Sequence, residues 1–158
     1  MVTIVDACTP DLIETARTLF QEYADSIGVD LCFQGFAEEL KTLPGKYAPP
    51  SGGLFIALVD GEAAGCAALR PLEPPASAEL KRLYVRRSCR GQGVGRLLTL
   101  KAIERAREAG YGSVRLDTLA SMKDAQRLYR AMGFKDIPAY TFNPIPDAIY
   151  MELNLGGG

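Results

Sequence analysis

One strand–helix–strand unit in the middle of the chain constrains the fold more than any other part of the sequence. Glu79–Val85 and Ser113–Leu119 are predicted to be strands, and a helix with a continuous apolar stripe is predicted between them, over Val94–Ala109. A helical connection of this length joins parallel strands, whereas a tight turn joins antiparallel ones. The sequence therefore predicts that these two strands run in the same direction within one sheet.

The N-terminal third is predicted to contain two helices and a hairpin. Apolar residues spaced three and four apart indicate an amphipathic helix that ends near Gly28, and a shorter helix follows over Phe36–Leu43. The dipeptide Asp60-Gly61 separates two apolar runs, Leu54–Val59 and Ala63–Leu69. Because Asp-Gly favours a tight turn between antiparallel strands, these runs predict a β-hairpin.

After the central unit, the pattern predicts one more helix and two more strands. Ser121 and Asp124 are spaced as in a capping box, which predicts a helix over Met122–Met132. Residues 134–137 and 148–155 are predicted to be strands. The complete order of elements predicts a mixed sheet that begins with antiparallel strands and becomes parallel around the central unit.

Length and charge limit the classes of protein that fit. The chain has 158 residues, which predicts one domain over residues 1–155 followed by flexible glycines at 156–158. Its net charge of −1 is not the footprint of a protein that wraps nucleic acid. The N-terminus lacks a signal-peptide pattern, and no apolar stretch approaches the roughly 18 residues of a membrane span. With four widely spaced cysteines, these features predict a cytoplasmic protein with reduced thiols and no membrane contact.

The absence of histidine excludes several kinds of active site. A Ser-His-Asp triad and a Cys-His pair both need an imidazole, and so do nearly all catalytic zinc sites. The cysteines form no CxxC pair, so we expect no metal site. Any proton transfer must then use Glu, Asp, Tyr, Lys, Cys, a chain terminus or water.

A basic glycine loop leads from the central strand into the following helix. Its glycines and arginines are Gly91, Gly93, Gly95, Arg86, Arg87, Arg90 and Arg96. Glycines let the backbone approach a ligand closely, and the first N–H groups of a helix attract an anion. The loop therefore indicates a phosphate or pyrophosphate site, the alternative being a turn with solvated arginines. It matches neither a P-loop nor a dinucleotide fingerprint.

The central strand has three charges, Glu79, Lys81 and Arg82, where a buried parallel strand would be almost entirely apolar. Alternation places Glu79, Lys81, Leu83 and Val85 on one face of the sheet. One interpretation is an ion pair at the exposed start of the strand. The other is a carboxylate that opens into a cleft.

Two segments together resemble the GNAT superfamily of N-acetyltransferases. Val85, Arg90, Gly93 and Gly95 are spaced as in the acetyl-CoA signature of that family, and Ala125–Phe134 is similar to its segment with a tyrosine-containing helix before Gly-Phe. The two segments stand in the right order, and the resemblance spans roughly residues 3–155. It implies an α/β (α+β) fold with a mixed, mostly antiparallel central sheet, a splayed parallel strand pair and about four flanking helices.

The resemblance also implies which residues hold acetyl-CoA. The backbone at the end of the central strand would pair with the pantetheine arm, and the amides of the glycine loop would hold the pyrophosphate. The implied residues are Leu83, Tyr84, Val85, Arg90, Gly91, Gln92, Gly93, Val94, Gly95 and Arg96. The family often has Asn at the position of Met122, so no side-chain contact is expected there.

Catalysis is expected to need an acid and a base. Tyr129 matches the family's general acid, which protonates the thiolate of CoA as it leaves; its alternative is an ordinary packing position beside Leu128. An alkyl amine with a pKa near about 10 must lose a proton before it attacks. Glu79 is the first candidate to accept that proton, directly or through a water. Asp117 is the second, and its alternative is to pair with Arg115 or to hold the next loop.

The predicted activity is transfer of an acetyl group from acetyl-CoA to a primary amine of a small molecule or amino acid, by direct attack in a ternary complex. A covalent intermediate on Cys89 is disfavoured, because that residue lies at the pyrophosphate end. The alternatives are a non-catalytic acyl-CoA-binding module and acetylation of a protein amine. The acceptor would be set by residues 24–50, which include Asp25, Asp30, Glu38 and Glu39, and by residues 140–147, whose aromatics could instead form a homodimer contact.

Overall fold

The structure is a computed structural model that describes residues 1–28, 35–72, 77–141, 145 and 148–156. Several sequence-based expectations fall outside this range: the acceptor residue Asp30, most of the segment 140–147 and the last two glycines.

The strands form one seven-stranded sheet with the order β1-β2-β3-β4-β5-β7-β6. Their bounds are Val2–Asp6 (β1), Gly53–Val59 (β2), Glu62–Pro71 (β3), Ser77–Val85 (β4), Ser113–Thr118 (β5), Lys135–Ile137 (β6) and Ile149–Asn154 (β7). In the described part of the chain, only β4 and β5 pair in parallel, and the other neighbours are antiparallel. The predicted mixed, mostly antiparallel sheet with a parallel pair is confirmed.

Within the described residues, four α-helices flank the sheet: Pro10–Ile27 (α1), Phe36–Thr42 (α2), Val94–Glu108 (α3) and Lys123–Ala131 (α4). Thr9 caps α1, because its side-chain oxygen accepts a hydrogen bond from the N–H of Leu12, and Gly28 ends the helix with a φ of 64°. None of the helices in the described part of the chain is long and apolar enough to cross a membrane.

Each face of the sheet is covered by its own apolar core. Phe55, Leu98 and Met151 belong to the core under α3 and α4. Phe20 and Ile56 belong to the core under α1 and α2. Burial of alternate residues of β2 on opposite faces accounts for the near-continuous apolar run that was predicted to be a strand.

Two local predictions differ from the structure. The first strand, Val2–Asp6, was not predicted, although all five of its residues pair in register with β2. The capping box was wrong: Met122 is the N-cap of α4, and its side chain makes no capping bond. The side chain of Gln126 instead donates to the carbonyls of Leu119 and Ala120 and so holds the turn before the helix.

A β-bulge in β4 creates the feature on which the site depends. The pairing of β3 with β4 shifts between Cys66 and Ala68, which leaves one extra residue in β4. Arg82 lies at this point with a φ of 60°, a left-handed conformation that is rare for a residue with a side chain. Parallel pairing with β5 ends at Glu79 and Arg115, so the two strands have no ladder between them beyond that pair.

The side chain of Arg82 is anchored on α2. Its Nε and Nη2 each donate to one carboxylate oxygen of Glu39 at 2.9 Å, and only 2% of the Arg82 side chain is exposed. The guanidinium also lies 5.2 Å from the ring centre of Phe36. A bidentate pair of this kind fixes the orientation of the guanidinium as well as its charge.

We expect Glu39→Ala to destabilise the protein by about 3 kcal/mol, because it leaves the buried Arg82 charge without its partner. The matched control is Glu38→Ala, which removes an exposed carboxylate from the adjacent position of α2 and should change stability by no more than about 0.5 kcal/mol. Urea unfolding followed by circular dichroism measures both. Equal effects of the two substitutions would show that the Glu39 anchor does not support the bulge.

Candidate active site

The divergence of β4 and β5 opens a cavity of about 580 Å³. Its walls come from the end of β4, the glycine loop, the start of α3 and the start of α4. Nine of the ten residues predicted to hold the cofactor lie in these walls: Leu83, Tyr84, Val85, Arg90, Gly91, Gly93, Val94, Gly95 and Arg96. The tenth, Gln92, is exposed and is not in the wall. The cofactor contacts of all ten residues stay predictions.

The glycine loop is shaped by backbone conformation. Gly91 and Gly93 have φ angles of 85° and 77°, and a Cβ at either position would meet no atom within 4 Å. Glycine is therefore required at these positions by the positive φ angles and not by a lack of space for a Cβ. Gly93 is the N-cap of α3 and supplies no side chain to the first N–H groups of the helix. These groups line the cavity at Val94, Gly95 and Arg96, where they can bind an anion.

Two arginines lie in the cavity wall beside these amides. Arg90 donates from Nε to the carbonyl of Val85 at 3.1 Å, which holds the loop against the end of β4. Arg96 lies at the start of α3. A helix N-terminus with two cations is the donor set that a pyrophosphate group requires, so the residues present fit the phosphate end of acetyl-CoA.

Arg86 does not belong to this group of cations. Its guanidinium donates to both carboxylate oxygens of Glu22 on α1, at 2.9 and 2.7 Å, and to the carbonyl of Ala63 at 3.0 Å. The cavity wall contains neither Arg86 nor Arg87. Of the four arginines in this segment, only Arg90 and Arg96 therefore line the cavity.

A second, much smaller cavity of about 40 Å³ adjoins the inner end of the first, and the two share wall residues. It lies between the bulged part of β4, the end of β5 and α4. Lys81, Asp117 and Tyr129 are in its wall. The two adjoining cavities therefore bring the start of α3 and a group of titratable side chains into one region of the molecule.

Tyr129 is buried in this inner space, with 6% of the residue exposed. Its ring packs against Phe134 with the ring centres 5.6 Å apart. Burial raises the pKa of Tyr129 well above its usual value, and the nearby Tyr23 and Asp117 raise it further. The phenol therefore stays protonated at neutral pH and is available as a proton donor.

Glu79 lies where the parallel pairing ends and is 1% exposed. One carboxylate oxygen accepts a hydrogen bond from Arg70 at 2.8 Å, and the other accepts one from the hydroxyl of Tyr140 at 2.7 Å. Burial by itself would raise the pKa of Glu79, but the charge of Lys81 and the hydrogen bonds from Tyr140 and Arg70 outweigh it and lower the pKa. Glu79 is not among the wall residues of either cavity.

Some residues of this region were not predicted to belong to the site. The alternation of β4 placed Lys81 on the same face as Glu79, and that pattern was the signal that could have identified Lys81 as a site residue. No sequence signal identified Arg70 and Tyr140 as partners of Glu79, because these contacts join positions that are far apart in the chain.

Comparison with known proteins agrees with this geometry. Residues 14–134 match the family model described as acetyltransferase (GNAT) family. An uncharacterised N-acetyltransferase of Schizosaccharomyces pombe is 41% identical over 147 residues, which cover 92% of this chain and 90% of the relative. The human protein named N-acetylaspartate synthetase is 33% identical over 98 residues, or 62% of this chain and 32% of that protein.

Solved structures show the same fold. A GNAT-family acetyltransferase of Staphylococcus aureus Mu50 has a TM-score of 0.80 and 20% identity, with 98% of this chain and 99% of that chain covered. The structure of yncA from Salmonella typhimurium, determined with its cofactor acetyl-CoA, has a TM-score of 0.73 and 18% identity, with 98% and 94% covered.

The fold and these matches define an acetyl-CoA-dependent N-acetyltransferase, which acts on an amine. The chain belongs to the GNAT family of acetyltransferases, and the resemblance found in its sequence is confirmed.

We expect the network around Glu79 to make stability depend on pH. The folded-state pKa of Glu79 lies below its usual value of 4.5. The stabilisation of the folded protein by the Glu79 carboxylate is therefore complete above pH 4.5 and is lost as the pH falls through the folded-state pKa. Glu79→Gln should therefore be less stable than the wild type by about 3 kcal/mol at neutral pH, and the difference should shrink below pH 4.5. Thermal unfolding across this pH range measures it, with the exposed Glu62→Gln as control. A difference that does not change with pH would contradict the assignment.

Proposed function

We propose that this enzyme transfers the acetyl group of acetyl-CoA to a primary amine of a small molecule, by direct attack while both substrates are bound. The observation that supports the proposal is the small inner cavity at the end of the larger one. Asp117 and Tyr129 both line this inner cavity. These two side chains supply a proton acceptor and a proton donor next to the place where an acyl group would be held.

The larger cavity is the proposed site for acetyl-CoA. The amides at the start of α3, with Arg90 and Arg96, would bind the pyrophosphate. The edge of β4 at Leu83–Val85 faces a strand with which it has no ladder, so its backbone groups would pair with the pantetheine arm. The bound thioester supplies the acyl group at the inner end of this path.

In the proposed reaction, the amine nitrogen attacks the thioester carbonyl carbon, so that a C–N bond forms and the C–S bond breaks. The amine gives up its proton to a carboxylate. The hydroxyl of Tyr129 donates its proton to the thiolate that leaves. Exchange with water returns both side chains to their starting states.

Two carboxylates are candidates for the proton acceptor, as the sequence predicted. Asp117 is in the wall of the inner cavity, where an amine could reach it. Glu79 lines neither cavity, and its two carboxylate oxygens accept hydrogen bonds from Arg70 and Tyr140. We therefore favour Asp117 as the acceptor of the amine's proton. Glu79 is assigned a positioning role, in which it holds Arg70 and Tyr140 in place.

The choice of a small amine rests on the size of the inner space and on a relative. A volume of about 40 Å³ beside the larger cavity suits a compact amine, and one relative is named for the synthesis of N-acetylaspartate. A protein amine remains the alternative acceptor. A non-catalytic acyl-CoA-binding module is disfavoured, because such a module would not need a tyrosine hydroxyl and a carboxylate beside the acyl group.

Four other expectations from the sequence stay predictions: the single domain over residues 1–155, the cytoplasmic location, the lack of nucleic-acid partners and the homodimer.

We expect Tyr129→Phe to lower kcat by about 100-fold or more, because it removes the proton donor for the thiolate. Affinity for acetyl-CoA should change by no more than about threefold, since the ring keeps its packing against Phe134. Steady-state kinetics and isothermal titration calorimetry measure the two effects. The control is Tyr111→Phe, which removes a hydroxyl that binds the carbonyl of Ser51, outside both cavities. An unchanged kcat in Tyr129→Phe would rule out this tyrosine as the acid.

We expect Asp117→Asn to lower kcat/KM at neutral pH and to recover as the pH rises toward the pKa of the amine, about 10, since the free amine then forms without a base. Glu79→Gln should reduce stability more than it changes the shape of this pH profile. A pH series of initial rates for the wild type and both variants makes the comparison. If Glu79→Gln shows the recovery and Asp117→Asn does not, Glu79 is the proton acceptor, as first predicted from the sequence.

A further inference from the structure

Among the described residues, four cations lie on the strands around the divergence: Arg70, Lys81, Arg82 and Arg115. Three of them donate to a carboxylate at hydrogen-bond distance. Arg70 donates to Glu79 at 2.8 Å, Arg82 donates to Glu39 at 2.9 Å, and Arg115 donates to Glu152 at 2.7 Å.

Lys81 is the exception. In the part of the chain that the structure describes, its ammonium donates no hydrogen bond, and its ion-pair partner, Oε1 of Glu79, is 3.8 Å from Nζ. That distance is beyond a hydrogen bond, and the same oxygen already accepts from Arg70. Glu79 thus neutralises part of the charge of Lys81 without satisfying its three N–H donors.

Burial makes this arrangement unfavourable for the protein alone. Only 11% of the Lys81 side chain is exposed, and it lies in the wall of the inner cavity with Asp117 and Tyr129. Burial lowers the pKa of Lys81, against the charges of Glu79 and Asp117, which raise it. An ammonium removed from water is stabilised when a hydrogen-bonding anion reaches it, and the cavity gives a ligand access to this one.

The register places Lys81 opposite a carboxylate. Glu79 and Arg115 form the last parallel pair, and Lys81 and Asp117 are each two residues further along β4 and β5. An ammonium and a carboxylate therefore face the gap from its two sides, at the inner end of the proposed acetyl-CoA cavity.

We propose that Lys81 binds a carboxylate of the acceptor, and that the acceptor is an α-amino acid, whose amino group then lies toward Asp117 and the acetyl group. Only one carbon atom separates the amino group from the carboxylate in such a molecule, so the two groups can approach Asp117 and Lys81, which share the wall of the small inner cavity. Arg82 cannot take this role, because Glu39 occupies its guanidinium. The assignment rests on the proposed function and names its class of acceptor.

The test compares acceptors that differ only at the carboxylate. Acetyl transfer from acetyl-CoA is measured for the L-amino acids and for their carboxamides, which keep the amino group and side chain. The wild-type enzyme should prefer at least one amino acid over its own amide by about tenfold to hundredfold in kcat/KM, the usual range for a hydrogen bond to a charged group. Lys81→Met should reduce this preference to near one, mainly through KM, and Lys81→Arg should retain part of it. The control is Lys135→Met, which removes an exposed lysine of β6.

The outcomes separate this inference from the proposed function. Transfer to amides or simple amines as fast as to amino acids would overturn the role of Lys81 and leave the transferase proposal intact. The same conclusion follows if Lys81→Met keeps the wild-type preference. Absence of acetyl transfer to every acceptor, together with no binding of acetyl-CoA by calorimetry, would overturn both. Because the wild-type comparison of acids with amides needs no variant, the inference can be rejected even if Lys81→Met does not fold.

Discussion

The extra residue in β4 is the constraint on which the rest of the structure depends. A left-handed backbone at a residue with a side chain costs on the order of 1 kcal/mol or more, and Arg82 adopts it at the bulge. The bidentate pair with Glu39 and the contact with the ring of Phe36 hold the residue in place. Because the bulge stops β4 from continuing its ladder with β5, it produces both cavities.

The strands around the divergence also place several charged side chains inside the protein. Charged side chains of β3, β4 and β5 lie where a parallel pair would normally bury apolar residues. Arg70, Arg82 and Arg115 each have a carboxylate at hydrogen-bond distance, so most of the charge is compensated within the protein. The region can therefore hold several charges in a partly buried place, where electrostatic interactions with a bound substrate are stronger than in water.

Sequence patterns predicted the parts of the fold that depend on neighbouring residues. The hairpin at Asp60-Gly61, the crossover helix and the glycine loop follow from local spacing, and the cavity wall contains nearly all the residues predicted for the loop. The partners of the charged residues could not be predicted in this way. Arg86 meets Glu22 across 64 positions and Tyr140 meets Glu79 across 61, so these pairs exist only once the sheet and helices have assembled. The interpretation of Glu79 as an open carboxylate failed to anticipate its partners for this reason.

The ion pair between Glu39 and Arg82 also links the position of α2 to the bulge in β4. It joins α2, on the side where the acceptor was predicted to be recognised, to the residue that keeps the cofactor strands apart. The docked position of α2 and the separation of β4 from β5 are therefore linked through one largely buried ion pair. Displacing the helix would leave the Arg82 charge without its partner at the point where the left-handed backbone needs support.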